Sequence, residues 1–250
     1  EVIGRAMKGV WSPSRDGKTI ITKNTAPFRF VEDGKYRILF GSSRVPREGE
    51  EISGDSYTFK SGIPGQAIMS LSDGMGSGKE ANSDSEKVIE LTEQLLGTGF
   101  SARAALKLVN TVVLLTGQNE RPATLDLCLV DLYSGVVEVM KLGAVASFIM
   151  GHDSVETLES EHVPAGILNP VEPVLLSKKL WDGDRIVMVS DGVLDAMPGE
   201  EKEEAFKDFL RGLQAAGPQE TAEMILAFAL SFEGEPRDDM TVLVGGIYGR

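Results

Sequence analysis

One stretch, residues 67–78, constrains the chain most. Its apolar run at 67–71 reads as a buried strand that ends in Asp73. Glycines follow at 74, 76 and 78, and a helix-forming segment opens near Lys79. A carboxylate therefore stands at the mouth of a strand, beside backbone that glycine lets a neighbour approach closely. That geometry suits an ion or a phosphate, and the question is whether other carboxylates converge on the same point.

The rest of the chain frames that stretch. Residues 11–17 read as a turn. Apolar runs at 28–31 and 36–40 flank Asp33-Gly34, which reads as a hairpin. A strand near Asp55 is expected to pair with 67–72. Residues 79–96 form a helix with Val88, Leu91, Leu95 and Leu96 on one face, stopped by Gly97 and Gly99. Ser101 caps a second helix to about residue 115, with Ala105, Leu108, Val109 and Val112 along its buried face. The short turn between them makes an antiparallel pair. Residues 124–132, 136–142 and 144–150 read as strands forming two hairpins. Pro164, Gly166, Pro170 and Pro173 break the chain, and 172–177 is a further strand candidate. Residues 185–190 form a strand that ends in Asp191-Gly192, the same design as Asp73-Gly74. Helices at 203–215 and 219–232 precede a last strand at 240–247. Strand runs around two separate helix pairs give an α+β layered fold, not a βαβ alternation.

An aspartate thus stands at a strand edge or end in four places: Asp55, Asp73, Asp191 and the Asp238-Asp239 pair. Carboxylates that converge repel one another unless a cation lies between them. Hard divalent ions take oxygen ligands, and two of them about 3.5–4 Å apart form a hydrolytic arrangement. Any one Asp-Gly is more often an ordinary turn, as Asp33-Gly34 and Asp182-Gly183 are expected to be. His152 and His162 are not needed. The glycines at 74–78 match neither a Walker loop nor GxGxxG, and no lipase-type nucleophile elbow is present.

Charge and cysteine usage narrow the classes further. The net charge is −13, with a local balance of +4 over residues 1–50 and −17 over the remainder. An acidic body argues against nonspecific nucleic-acid binding and suits bound cations or plain solubility. The single cysteine, Cys128, lies in an apolar run, so no intrachain disulfide exists and a packed core thiol is expected.

Asp55 in Ser-Gly-Asp-Ser, the 72–78 stretch, Ser190-Asp191-Gly192-Val193 and Asp238-Asp239-Met240-Thr241 together resemble the ordered motifs of the metal-dependent PPM (PP2C-like) serine/threonine phosphatases. The branch most similar is the bacterial stage II sporulation protein E phosphatase domain, which Thr124-Leu125-Asp126-Leu127 and Pro164-Ala165-Gly166-Ile167 also fit. The resemblance covers residues 36–248. It implies a PP2C-like β-sandwich flanked by helix pairs over 36–250, with 1–35 as a regulatory or linker segment. It also implies a two-metal site, manganese with magnesium as the other choice. Asp55 would contact both metals, Asp73 and the Gly74 carbonyl one, and Asp191 and Asp238 the other; Asp239 stands where relatives often have Asn. Metal-activated water would hydrolyse phosphoserine on a phosphorylated anti-anti-sigma protein in sporulation sigma-factor control. The Glu1 start fits a cytoplasmic domain of a membrane-anchored parent, with a homodimer as an assembly to test.

Two departures stand out. Ala146 replaces a proline common in the branch, and no arginine is assigned to the phosphate, Arg44 being the candidate by position. The helix following Gly74 is expected to influence metal binding through that turn. Two other readings stay open: a catalytically silent PPM-like module that binds a regulatory partner, and an aspartyl-phosphate enzyme, which the missing Asp-x-Asp at the first strand end disfavours.

Overall fold

The computed structural model describes residues 2–8, 10–14, 20, 23, 26–61, 65–116, 121–159, 163–167 and 171–250, without the side chains of 2, 116 and 233. Residues 15–17 of the expected turn, His162 and Pro170 lie outside that set. In chain order the elements are α1 (Val2–Met7), β1 (Trp11–Pro13), β2 (Phe30–Glu32), β3 (Tyr36–Val45), β4 (Asp55–Lys60), β5 (Gln66–Asp73), α2 (Gly78–Gly97), α3 (Ala102–Thr116), β6 (Leu125–Asp131), β7 (Val136–Leu142), β8 (Ser147–Met150), β9 (Val155–Leu158), β10 (Leu176–Lys179), β11 (Arg185–Val189), α4 (Asp191–Asp195), α5 (Lys202–Gly212), α6 (Pro218–Glu233) and β12 (Met240–Gly249).

Ten of these strands form two five-stranded antiparallel sheets, and β1 and β2 pair as a small sheet of their own. Sheet one runs β10-β7-β6-β5-β4 and sheet two runs β3-β12-β11-β8-β9. Successive side chains of a strand face opposite sides, so each strand feeds two cores at once. Ala67, Met69, Leu71, Cys128, Val130, Val137 and Val139 of sheet one meet Ile149, Ile186, Met188, Leu243 and Ile247 of sheet two between the sheets. The alternate residues of sheet one, among them Ile68, Leu125, Leu127 and Met140, pack under α2 and α3 through Val88, Ile89, Ala105 and Val109. Those of sheet two, Phe148, Val187, Val189, Val242 and Val244, pack under α4, α5 and α6. Four layers result, helix–sheet–sheet–helix. Because both faces of each sheet are covered, the strands read as apolar runs rather than clean alternations.

Three expectations change. Asp33-Gly34 does not close a hairpin. β2 pairs with β1, whose residues were expected to turn, while β3 pairs along its length with β12. The Asp33 amide donates to the Val10 carbonyl at 2.7 Å, and Ser12 Oγ donates to the Asp33 carboxylate at 2.5 Å, so this Asp-Gly crosses between sheets. Likewise β7 and β8 do not pair: residues 143–146 carry the chain from sheet one to sheet two, where β8 lies between β11 and β9. On α3, Leu108 and Val112 are 38% and 40% exposed, and the buried face instead runs through Ala102, Ala105, Leu106, Val109 and Val113.

Under sheet two, Phe206 is fully buried and meets Phe148 edge-on at a centroid separation of 4.9 Å. Truncating a ring in so closed a layer leaves a cavity the surroundings cannot fill. Phe206→Ala is expected to lower the unfolding free energy by about 3–5 kcal/mol, read from urea denaturation.

Candidate active site

The four strand-end aspartates meet at one end of the sandwich. Asp55 opens β4 and lies directly across from Asp73, the last residue of β5. Both belong to sheet one. From sheet two, β11 delivers Ser190 and Asp191, and the start of β12 delivers Asp238 and Asp239. Ser190 joins these two segments: its amide donates to the Thr241 carbonyl at 3.0 Å, its Oγ donates to the Asp239 carbonyl at 3.1 Å, and that same Oγ accepts the Thr241 amide at 2.9 Å. Asp73 and Asp191 line one small cavity of about 20 Å³ from opposite sheets, together with Thr124 and residues 143–145.

Glycine is required where backbones touch. A Cβ on Gly74 would lie 2.0 Å from the Ala81 carbonyl oxygen of α2, and one on Gly192 would lie 2.3 Å from the Asp239 carbonyl oxygen. The first turn of α2 therefore rests on the Asp73-Gly74 segment. Thr124 clamps that segment from the other side. Its Oγ1 accepts the Asp73 amide at 2.9 Å, its amide donates to the Asp73 carbonyl at 2.8 Å, and Ser72 Oγ donates to its carbonyl at 2.6 Å.

Asp239 has a different job from its neighbour. It is buried, and its two carboxylate oxygens accept the Arg47 amide at 3.0 Å and the Gly54 amide at 2.8 Å. It thereby holds the approach to Asp55 against the start of β12, while Asp238 stays exposed. Arg44 lies beside Asp55 as well: its guanidinium donates to the Asp55 carbonyl oxygen at 3.3 Å and stands 5.6 Å from the Tyr57 ring centre. His152 is exposed and plays no part in the cluster. Cys128 is sealed between the sheets, where burial pushes its thiol pKa up, so it is a packing residue.

Asp55 is fully buried, and neither of its carboxylate oxygens has a hydrogen-bond partner. The hydroxyls of Thr241 and Ser190 lie near enough to favour its ionised form without completing a bond to it. Burial pushes Asp55 up to about 7, opposed by those hydroxyls and reinforced by the charges of Asp239 and Asp191. Asp73 is pushed up to about 9, first by burial and then by Asp55, Asp191, Asp238 and Asp239. Asp191 is raised by burial and by Asp238. An orphaned, desolvated carboxylate surrounded by others suits a hard cation, which would supply the missing partner. Among the described residues no three of these acids stand close enough to form a finished coordination shell.

Comparison with known proteins adds to this geometry. The family model for stage II sporulation protein E (SpoIIE) matches residues 64–247. This chain belongs to the stage II sporulation protein E family. Stage II sporulation protein E of Bacillus subtilis (strain 168) is 32% identical over 217 residues, which cover 86% of this chain and 26% of that protein. The Priestia megaterium protein of the same name is 30% identical over 240 residues, covering 91% and 41% respectively. The chain thus spans between about a quarter and two fifths of these relatives. A structure of the B. subtilis SpoIIE PP2C phosphatase domain, with a fragment of its regulatory domain, superposes with a TM-score of 0.83 at 31% identity, covering 88% of this chain and 66% of that one. The sandwich described above is therefore the PP2C fold, and the chain carries a PP2C-type phosphatase domain of the SpoIIE family.

The aspartates singled out in the sequence at all four positions lie at this one end of the sandwich. Sequence reasoning gave no role to Thr124 or to the hydroxyls of Ser190 and Thr241, although each lies within two residues of a flagged aspartate or inside a motif that carried the resemblance. Without a cation the folded chain holds protons on Asp55 and Asp73 that the unfolded chain, with ordinary carboxylates near pH 4, has released. The unfolding free energy must then fall as pH rises from about 5 toward 9, by up to about 1.4 kcal/mol per pH unit for each extra proton held. Denaturation in chelator at pH 6 and pH 8 is expected to give the higher midpoint at pH 6; the reverse order would mean that these carboxylates are already compensated.

Proposed function

We propose that this chain hydrolyses phosphoserine on a phosphorylated anti-anti-sigma protein, in a reaction that depends on two divalent cations, within sporulation sigma-factor control. The observation that carries this reading is the buried Asp55 carboxylate, which has no protein partner and lies among aspartates from both sheets. Membership of the SpoIIE family and the PP2C fold support it. Manganese is the expected metal, with magnesium as the other choice. When bound, the cations would activate water and neutralise charge on the phosphoryl oxygens.

The chain's own residues divide the remaining work. Asp55, between the two sheets' contributions, would be shared by both cations. Asp73 and the Gly74 carbonyl would hold one, Asp191 and Asp238 the other. Asp239, already committed to two backbone amides, serves by fixing the segment before Asp55. Arg44 presents a cation on the β3 side of the site, where it can meet a phosphoryl group. Residues 36–250 would constitute the phosphatase domain and 1–35 a regulatory or linker segment, whose β1 and β2 form a small sheet of their own. Among the described residues no helix is long and apolar enough to cross a membrane; membrane anchoring would belong to a longer parent protein.

The test is phosphate release from a phosphoserine-bearing anti-anti-sigma protein, with and without manganese, by the parent chain and by Asp73→Asn. Release is expected to require metal and to drop by at least about 100-fold in a folded Asp73→Asn protein. Turnover indifferent to both changes would remove the aspartate cluster from the reaction. A folded parent that releases nothing from a competent substrate would point instead to a silent, partner-binding domain.

The contact between α2 and Gly74 makes a second expectation. Leu91 and Leu95 pack α2 partly into the core beneath it, and Ala81 at the other end backs Gly74. Leu91→Asn or Leu95→Asn is expected to weaken manganese binding about tenfold in a chain that still folds. Calorimetry of manganese binding decides it, and parent-like affinity would confine both leucines to packing.

A further inference from the structure

The period of two along each strand exposes an anomaly in the inter-sheet core. On β7, Val137 and Val139 point between the sheets, and on β6, Cys128 and Val130 do the same. The next inward positions toward the aspartate end are Lys141 and Asp126, and on β8 the inward position before Ile149 is Ser147. All three are buried, at 0%, 1% and 0% exposure. Lys141 and Asp126 are cross-strand partners in sheet one. Lys141 Nζ donates to the Asp126 carboxylate, to Ser147 Oγ at 2.7 Å and to the Val145 carbonyl at 2.8 Å, and Ser147 Oγ donates to that carboxylate as well.

We infer that this buried triad is a staple between the two sheets, and that Lys141 is its positioning residue. It joins β6 and β7 of sheet one to the first residue of β8 in sheet two, and it anchors the 143–146 crossover by one of its carbonyls. That crossover walls the cavity lined by Asp73 and Asp191. Asp126 lies opposite Leu71, two residues before Asp73 on β5. The aspartates come in two sets, one from each sheet, so their separation is set by how the sheets are held at this end. Apolar packing is non-directional and tolerates sliding, whereas a lysine with three donors aimed at fixed acceptors does not. A buried ion pair contributes little net stability over apolar residues of like size, which leaves fixing one geometry as its use here.

The inference rests on the two-cation reading above, and its test separates the two. The paired change Lys141→Met with Asp126→Asn removes both charges at similar volume and leaves no charge orphaned. Ser147→Ala cuts only the two bonds across the gap, guarding against a paired variant that does not fold. In the full chain, manganese affinity by calorimetry and amide exchange at residues 143–147 and 190–192 without metal are measured beside the unfolding midpoint. The paired variant is expected to keep a parent-like midpoint, bind manganese at least about tenfold more weakly and exchange faster in both segments. Ser147→Ala is expected to shift both readouts the same way by less. Parent-like affinity and exchange in a folded variant overturn the staple. A parent that binds no manganese overturns the two-cation reading instead; exchange in the metal-free chain then decides the staple, and unchanged rates reject it.

Discussion

Crowding carboxylates into a desolvated space is the constraint on which the rest of this structure depends. Asp55 has no exposed surface and its carboxylate has no hydrogen-bond partner, and Asp73, Asp191, Asp238 and Asp239 crowd the same place. Such a cluster costs stability in a metal-free chain. The fold limits that cost locally: Asp239 is satisfied by two backbone amides, Asp238 stays in water, and the Ser190 and Thr241 hydroxyls soften the surroundings of Asp55. What remains uncompensated is concentrated on Asp55 and Asp73, where an added cation would gain most.

The architecture explains how aspartates so distant in sequence share that space. Sheet one alone brings two of them and sheet two the other three. Strand ends are suited to the task because the ends of paired strands lie side by side, and stacking two sheets brings several such ends to one rim. Glycine at 74 and 192 then lets backbone from α2 and β12 press against the aspartate-bearing turns, and no side chain would fit in either gap. The same logic makes α2 a direct neighbour of the site, since its first turn touches the residue that follows Asp73.

Burial of the sheets on both faces has a second consequence. With apolar contacts on every side, most of the core between the sheets carries no directional bond from one sheet to the other. Lys141, Asp126 and Ser147 break the apolar stripe at the end nearest the aspartates. A charged residue inside a run such as 136–142 was visible in the sequence, and counting by twos from Val137 and Val139 places Lys141 inward. What could not be counted was that Asp126 and Ser147, from two other strands, would arrive at the same point.

The sequence by itself determined most of the strands, most of the helices and the placing of aspartates at strand ends, because each is written in local periodicity or in an Asp-Gly at the end of an apolar run. It also carried enough ordered motif to place the chain in its family. The tertiary structure alone decided which strands pair. Asp33-Gly34 looked like a hairpin and became a crossover, since the β3 edge finds ten partners on β12 and none on β2. It also decided which of two adjacent aspartates is structural: Asp239 is buried because β12 starts against Gly54 and Arg47, segments almost two hundred residues away. Local pattern reports what a residue prefers within one or two turns of chain. Which distant amide or carboxylate shares its space is settled only when whole layers pack.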